Sequence, residues 1–168
     1  MRGRSVQRGD SQEPTDHALG RSRGGFTTKF HLVCDGRGLP PAVVLSAGQA
    51  HDSTCFETAL EASRLPRTRR RARTRPDKLA ADRAYNVEWI RDWLKRRRIE
   101  PVIPRRVPKD EREEAFDRAA YRGRNIVERC IGWLKECRRV FSRFDKFARS
   151  YLAFLQLAIL QRLLKFDF

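Results

Sequence analysis

The sequence predicts an α/β domain built around a mixed sheet, and three stretches carry that prediction. Two runs of aromatic and β-branched residues on either side of a Gly-containing turn predict a β-hairpin over residues 26–46. A strand, a helix and a second strand follow over residues 78–104 and predict a parallel crossover. An amphipathic helix over residues 121–135, YRGRNIVERCIGWLK, completes the pattern.

The first 24 residues differ in composition from the rest of the chain. They are polar and rich in Gly, Ser and Arg, and they lack hydrophobic periodicity. We therefore predict a flexible basic arm or linker over 1–24 and the folded domain over 25–168. A chain of 168 residues is long enough for one such domain with its own core.

The hairpin prediction rests on local composition. Phe26 to Cys34, FTTKFHLVC, is aromatic and β-branched, and Asp35 to Gly38 is a turn sequence. Pro40 to Ser46 supplies the second strand. After a loop, we predict that Asp52 is the N-cap of a helix that ends near Ser63.

The predicted crossover puts a carboxylate at the end of a strand. Lys78 to Asp82 is a short apolar run that ends in Asp82. Asn86 is predicted to cap the next helix, and 100–104 is an edge-like strand because it contains two prolines. Asp82 then lies at the carboxyl end of a parallel strand, where the functional sites of α/β proteins collect. On the residues alone, a plain capping role for Asp82 remains the alternative.

The helix over 121–135 separates a polar stripe from an apolar face. Arg124, Glu128 and Lys135 fall within about 40° on a helical wheel, with Tyr121 at the margin. Glu128 is the one carboxylate of this stripe. A solvated face with an ion pair between Arg124 and Glu128 explains the same pattern without any function.

A last helix over 149–165 is apolar on nearly every side. We expect it to be buried against the sheet or against a partner. Its apolar run, Tyr151 to Leu164, is interrupted by two glutamines and an arginine, which makes it too short and too polar to span a bilayer. No membrane partner is expected.

The charge balance predicts a polyanionic partner. Lys and Arg number 37 against 21 Asp and Glu, which gives a formal net charge of +16. Nucleic acid is favoured over a membrane surface or an acidic protein. Residues 64–76, RLPRTRRRARTRP, contain seven arginines and are predicted to be either a solvated loop or one that contacts phosphates. We assign DNA contacts within it to Arg69, Arg70, Arg71 and Arg73.

The four cysteines indicate neither a zinc site nor a disulfide framework. Cys34, Cys55, Cys130 and Cys137 form no C-x-x-C pair, and no histidine stands at zinc-like spacing from them. Reduced cysteines and the lack of an apolar signal region lead us to expect a cytoplasmic, nucleoid-associated bacterial protein.

The spacing of Tyr121, Arg124, Glu128 and Lys135 resembles the YREK signature of DDE transposases of the insertion sequence four/five superfamily. Residues 79–85, LAADRAY, are similar to the second-Asp motif of that family, in which a strand ends in Asp and a Tyr follows three residues later. The resemblance runs from about residue 17 to residue 164.

An upstream stretch resembles the core of the insertion sequence five group of these transposases. The matching positions are Gly20 to Gly25, Thr28, Lys29, His31, Gly38, Gly48, His51 and Asp52. We assign no metal role to His31 or Asp52. His31 is predicted to be a satisfied, semi-buried histidine, and Asp52 the N-cap named above.

The resemblance implies a fold and a set of roles. The fold is a ribonuclease-H-like mixed sheet with flanking helices. Asp82 and Glu128 would be the second and third carboxylates of a triad that binds Mg²⁺ or Mn²⁺, and carboxylate oxygens suit these hard cations. Tyr121, Arg124 and Lys135 would contact DNA. Two such cations about 4 Å apart assist the cleavage and transfer of DNA strands.

One part of the family pattern has no match here. In the family, the first Asp lies on a central strand upstream of the 20–25 run, whereas Asp10 and Asp16 lie in arm sequence and Asp35 in the hairpin turn. We therefore expect a sheet that lacks this strand, and a two-metal site in the complete protein only. The chain is then the second half of a split transposase or a truncated relict, inactive alone.

Three functions remain open at this stage. The first is a transposase part that acts on insertion-element ends and target DNA, together with an upstream transposase half or as a homo-oligomer. The second is a catalytically inactive remnant that still binds DNA. The third is an RNA-binding accessory protein without an active site.

Overall fold

The computed structural model describes residues 16–63, 75–105 and 116–165. These ranges contain both strands and helices, so the predicted α/β class is confirmed. In chain order the strands and helices are β1 (Gly20–Ser22), β2 (Gly25–Val33), β3 (Ala42–Ala47), α1 (Phe56–Ala62), β4 (Lys78–Ala80), α2 (Glu88–Arg96), β5 (Glu100–Val102), α3 (Arg118–Gly123), α4 (Asn125–Glu136), α5 (Arg138–Phe141) and α6 (Ala148–Lys165). Short 3-10 turns occupy Asp52–Cys55 and Arg83–Tyr85.

The strands form two sheets. The first is antiparallel in the order β1, β2, β3, and β2 pairs with β3 from Thr28 opposite Ala47 to Val33 opposite Ala42. In the second, β4 and β5 are parallel. The predicted hairpin and the predicted crossover are both confirmed. Within the described ranges, no backbone ladder joins the two sheets into one mixed sheet.

Strand β1 extends the antiparallel sheet into the segment predicted to be an arm. Its three residues pair with the first three residues of β2. The tight turn between them is followed by Gly25, whose φ of +109° is a conformation that glycine adopts without strain. Gly48 lies against this pair, and a Cβ there would be 2.8 Å from the carbonyl oxygen of Thr27. Ordered structure therefore begins before the predicted boundary at residue 24.

Two predicted helix caps are wrong. His51 rather than Asp52 caps the first 3-10 turn, because its imidazole accepts the backbone N–H two residues later. Val87 rather than Asn86 precedes α2. The amide oxygen of Asn86 accepts instead from Nε of Arg91 at 2.8 Å. In both cases a nearby side chain competes with the local capping bond.

The helix predicted over 121–135 is two helices. Helix α3 ends at Gly123 and α4 begins at Asn125, with Arg124 at the junction. Glycine is a poor residue for the interior of a helix, which accounts for the position of the break. Cys130 and Leu134 are buried, so the predicted apolar face of α4 is confirmed.

The buried apolar residues form two clusters. One lies between β3 and helices α4, α5 and α6, and contains Val43, Leu134, Val140, Tyr151, Leu155, Ala158 and Ile159. The other lies among α1, α2 and the residues around β5, and contains Phe56, Ile90, Trp93, Leu94, Ile99 and Ile103. Each sheet thus contributes to its own core.

Helix α6 buries one face only. Leu155 is fully buried, whereas Leu157, Leu160 and Leu164 are 50–73% exposed. Packing within the described ranges therefore covers one face of this helix and leaves these three leucines exposed. Across the described ranges, no helix is long and apolar enough to cross a membrane.

Candidate functional site

A cavity of about 520 Å³ lies between the two sheets. One wall is strand β2, from Thr28 to Cys34, and the other is β4 with the two residues that follow it, ending at Asp82. Side chains of α1 and α4 also line it. The cavity thus separates the two sheets and is bounded by both sheets and by helices α1 and α4.

The two predicted catalytic carboxylates line this one cavity. Asp82 follows β4 directly, and Glu128 lies in the first turn of α4. Oδ1 of Asp82 accepts the backbone N–H of Ala84 at 2.9 Å, and Oε1 of Glu128 accepts from Arg124 at 2.7 Å. Within the described part of the chain, each carboxylate uses one oxygen in these bonds. The cap and the ion pair that the sequence offered as alternatives are both present at the cavity wall.

Three cationic side chains line the same cavity. Arg124 and Lys135 extend from the α4 side and Lys29 from β2. The guanidinium of Arg124 also lies over the ring of Tyr121, 5.4 Å from its centre. Tyr121 packs against Phe116, with ring centres 5.2 Å apart. Its connection to the cavity is the contact with Arg124, which lines the cavity wall. Of the three cations, Arg124 is the one paired with Glu128 in the described ranges.

The predicted arginine-rich loop cannot be placed. Its four assigned residues lie in the segment 64–74, outside the described residues. Their phosphate contacts stay a prediction. These residues are Arg69, Arg70, Arg71 and Arg73.

Asp52 is a third carboxylate of the cavity, and sequence reasoning assigned it a cap. Nζ of Lys29 donates to Oδ1 of Asp52 at 2.8 Å and to the carbonyl oxygen of Ala50 at 3.0 Å. The available signal was the resemblance, which includes both Lys29 and Asp52. Nothing in the spacing of the two residues predicts that they meet.

A buried histidine connects strand β2 to the turn after β4. His31 is 8% exposed, its Nε2 lies 2.8 Å from Oγ of Ser46, and its Nδ1 lies 3.3 Å from the hydroxyl of Tyr85. Burial lowers the pKa of His31, with a smaller opposing effect from Asp52. Burial and the charges of Asp52 and Asp82 raise the pKa of Tyr85. At neutral pH the imidazole is therefore neutral and the phenol keeps its proton, and His31 is the satisfied histidine that the sequence predicts.

The two predicted metal ligands do not by themselves make a metal site. Among the described residues, no three His, Cys, Asp or Glu side chains converge closely enough to hold a metal ion. Asp82 and Glu128 do supply hard oxygen ligands from two separate elements to one cavity, which suits a divalent cation.

A second cavity of about 650 Å³ adjoins the first. Both are lined by Val33 and Cys34 of the β2 side and by Leu79 and Ala80 of β4, and the second continues to Lys78. We call the two cavities together the interstrand slot. It runs between residues 28–35 and residues 78–82.

Strands β2 and β4 run in opposite directions along the interstrand slot. Strand β2 passes from the first cavity at Thr28 into the second, which Asp35 lines. Strand β4 starts in the second cavity at Lys78 and ends in the first, at Asp82. Strand β3 pairs with one edge of β2. On the opposite edge, which faces the slot, β1 pairs with the first three residues of β2 only. The remainder of that edge has no paired strand in the described ranges.

Residues 4–162 match the family model described as Transposase DDE domain. Over 145 residues the chain is 36% identical to a protein of Burkholderia cepacia named "Putative transposase for insertion sequence element IS402". That alignment covers 86% of this chain and 63% of the relative, so the chain spans less than two thirds of the length of the curated relative it matches. No solved structure matches the chain at a significant level.

Proposed function

Because this chain belongs to the transposase DDE domain family, we propose that it supplies Asp82 and Glu128 to a catalytic site for metal-dependent cleavage and transfer of DNA strands. The substrates are the ends of an insertion element and its target DNA. A further segment that carries the first carboxylate completes both the site and the sheet.

The observation that carries the proposal is the convergence of Asp82 and Glu128. They belong to different elements, β4 and α4, and they line one cavity. A phosphodiester-cleaving site requires carboxylates from separate elements to share one cavity, and Asp82 and Glu128 meet that requirement, with Asp52 as a third carboxylate of the same cavity. A divalent cation held there would neutralise charge on the phosphate and activate the attacking oxygen.

The cations around the carboxylates suit a phosphate-bearing substrate. Lys29 and Arg124 are each paired with a carboxylate of the cavity, and Lys135 stands on the same wall as Glu128. Such pairs orient the carboxylates, and the cations offer donors to phosphate oxygens when DNA enters. Tyr121 contributes by stacking on Arg124.

The interstrand slot suits one extended strand. The open edge of β2 and the facing edge of β4 present backbone donors and acceptors that an inserted strand satisfies. Strand addition to an exposed edge is a common mode of recognition. In the described ranges, six residues of β2, Thr28 to Val33, have no paired strand on this edge, so the inserted strand is about six residues, or roughly 20 Å, long.

The direction of that strand follows from the strands that bound the slot. Since β2 and β4 run in opposite directions, an inserted strand is antiparallel to one and parallel to the other. Running antiparallel to β2 and parallel to β4 keeps each sheet of one type, which is the favoured arrangement. Its carboxyl end then lies beside Asp82. A carboxylate near that end joins Asp82 and Glu128 to complete the ligand set.

The composition of the strand follows from its two faces. Alternate residues of β2 face different surroundings: Phe30 and Leu32 pack against the α4 and α6 core, whereas His31 faces Tyr85. Helices α1 and α4 both line the slot, so each face of an inserted strand meets a helix. Strands covered on both faces are almost continuously apolar. The occupant is thus an apolar strand with one carboxylate, the ribonuclease-H-like central strand that the resemblance implies.

Nucleic acid is the partner that the charge of the chain favours. A net charge of +16 gives strong attraction to any phosphate backbone, and the arginines of residues 64–74 add to it. This term alone is equally compatible with an inactive DNA-binding remnant or an RNA-binding accessory protein. A DNA-bound protein of this kind is expected in the bacterial nucleoid.

The test combines this chain with the polypeptide encoded immediately upstream of residue 1, made separately or as one chain. The DNA substrate carries the flanks of the element, and strand cleavage is measured with Mg²⁺ or Mn²⁺. We expect metal-dependent cleavage that falls by more than about 100-fold in Asp82→Asn and in Glu128→Gln, because loss of an outer-shell partner alone costs 10–100-fold. Asp92 and Glu136 are exposed carboxylates, so Asp92→Asn and Glu136→Gln are the matched controls. We expect both variants to keep full activity.

Each rival function predicts a different result. Cleavage that survives Glu128→Gln would refute the site. DNA binding without cleavage under every condition identifies an inactive remnant. A preference for RNA that is indifferent to Asp82→Asn identifies an RNA-binding protein instead.

A further inference from the structure

The carboxyl-terminal end of α2 has a backbone geometry that favours glycine. The N–H of Arg98 donates to the carbonyl oxygen of Lys95, and the N–H of Ile99 to that of Leu94, both at 2.9 Å. Leu94 and Ile99 are buried in the same core cluster. These bonds are those of a Schellman helix end, in which one residue takes a left-handed conformation and is usually glycine. Here that residue is Arg98, at a φ of +55°.

An arginine at this position strains the backbone, because a side chain is disfavoured in the left-handed region. Glycine occupies such a conformation at Gly25 and Gly38. At Arg98 the chain instead has a long cationic side chain. Local strain of this kind is concentrated at sites that have a function.

Four exposed cations meet at this end of α2. Lys95, Arg96 and Arg98 belong to the end itself. Nη1 of Arg75 donates to the carbonyl oxygen of Arg97 at 2.9 Å, which brings Arg75 to the same place. We call Arg75, Lys95, Arg96 and Arg98 the helix-end cluster.

The neighbouring Arg97 shows what a compensated cation looks like here. Its guanidinium lies 3.6 Å from the centre of the Trp93 ring, and one of its nitrogens lies 3.8 Å from Oε1 of Glu57. Within the described ranges, no carboxylate forms an ion pair with Lys95, Arg96 or Arg98. Cations grouped without carboxylate partners attract a phosphate backbone.

We propose that the helix-end cluster binds the phosphate backbone of double-stranded DNA outside the catalytic cavity. This inference rests on the proposed function, which supplies DNA as the partner. Helix α2 leads from β4 back to the start of β5, so the cluster lies at the amino end of these parallel strands, whereas Asp82 lies at their carboxyl end. The nine residues of α2 span roughly 14 Å, which is about four base pairs. The cluster therefore contacts DNA several base pairs from the bond that is cut, and it positions the DNA without reading its sequence.

The experiment measures binding of the full chain to duplex DNA of mixed sequence, by fluorescence anisotropy at several salt concentrations. Arg98→Gly removes one phosphate contact, so we expect the affinity to fall about eightfold at 0.1 M salt and the plot of log K against log salt to become less steep by about 0.9. Adding Lys95→Gln should double the change in slope. Arg98→Lys keeps the charge and should keep the slope.

Thermal unfolding of the same variant separates DNA binding from stabilisation of the helix. A cation at the carboxyl-terminal end of a helix interacts favourably with the helix dipole. If Arg98 served the fold only, Arg98→Gly would lower the unfolding midpoint and leave DNA binding unchanged, and this result would overturn the inference. We expect the reverse: an equal or higher midpoint, since glycine relieves the strain, together with weaker DNA binding. Ala18→Gly is the matched backbone control, because Ala18 has a φ of +46°, and DNA binding should not change.

The remaining outcomes separate this inference from the proposed function. Arg149→Gln removes an exposed cation of α6, and a loss of affinity equal to that of Arg98→Gly would mean that net charge rather than the cluster binds DNA, which overturns the inference. If Arg98→Gly binds DNA unchanged while cleavage still depends on Asp82, the cluster is overturned and the proposed function stands. If the unmodified chain prefers RNA to duplex DNA, or binds neither, both are overturned.

Discussion

The ammonium group of Lys29 lies 2.8 Å from Oδ1 of Asp52, and both charges act on the buried imidazole of His31. Asp52 raises the pKa of His31 and Lys29 lowers it. We therefore predict that Asp52→Asn lowers the pKa of His31 further and that Lys29→Met raises it. NMR titration of the His31 ring measures both changes.

If the His31 pKa moves in the same direction in the two variants, the opposing effects of the two charges are wrong. The two side chains of the ion pair are 40% and 34% exposed, so we expect either change to alter the free energy of unfolding by less than about 1 kcal/mol.

The buried His31 also predicts how stability depends on pH. Its pKa in the folded chain is below the ordinary value of about 6.5, so between these two values the unfolded chain binds more protons than the folded chain. The contribution of His31 is therefore fully present above pH 6.5 and is lost as the pH falls through that window. Urea unfolding at pH 7.5 and 5.5 should show a smaller pH effect in His31→Gln than in the unmodified chain.

His31 is affected by the charges of Asp52 and Lys29 and contacts the hydroxyl of Tyr85. All three residues are unchanged in the comparison of His31→Gln with the unmodified chain. Carboxylates elsewhere titrate in both proteins and cancel in the difference. An identical slope with pH in the two proteins would contradict the prediction.

Two leucines of helix α6 provide a matched test of the core. Leu155 is fully buried in the cluster around Leu134, whereas Leu157 is 57% exposed. Leu155→Ala should lower the free energy of unfolding by about 2–5 kcal/mol, because it leaves a cavity. Leu157→Ala should change it by less than about 0.5 kcal/mol. Chemical denaturation of the two variants measures the difference.

A large loss in Leu157→Ala would mean that this face of α6 is covered in solution. Sedimentation at several protein concentrations would then show whether a second copy covers it. The same loss in both variants contradicts the burial described here.

Local sequence patterns predict the strands and helices of much of this fold, because the residues that determine each element lie within it. Alternation and turn residues lie within the segment that they shape, so the hairpin through His31 and the crossover that ends at Asp82 are both predicted. The caps at Asp52 and Asn86 fail for the converse reason. Lys29 binds one of these side chains and Arg91 the other, and neither partner follows from local spacing.

The candidate site is less visible in the sequence than the fold. Asp82 and Glu128 are far apart in the chain, and no periodicity relates a strand end to the face of a later helix. Family resemblance supplied that pairing, and it did not indicate the contact between Tyr85 and His31. The sequence did not predict the break at Arg124, because the helical spacing of polar and apolar residues continues across Gly123.

The open edge of β2 predicts an alternating pattern of hydrogen exchange. In an antiparallel pair, successive residues direct their N–H groups to opposite edges of the strand. Between Thr28 and Val33, every second amide therefore bonds to β3, and the others point into the interstrand slot. In this chain alone we expect the first set to exchange slowly and the second set to exchange much faster.

Addition of the polypeptide encoded upstream of residue 1 should protect the second set, because an inserted strand pairs with those amides. Amides of β4 should become protected in the same experiment, since the strand lies between β2 and β4. The amide of Leu134, in the core of α4, is the reference and should be slow throughout. Uniformly slow exchange along β2 in the chain alone would mean that the edge is already covered, and the proposed strand insertion would then be wrong.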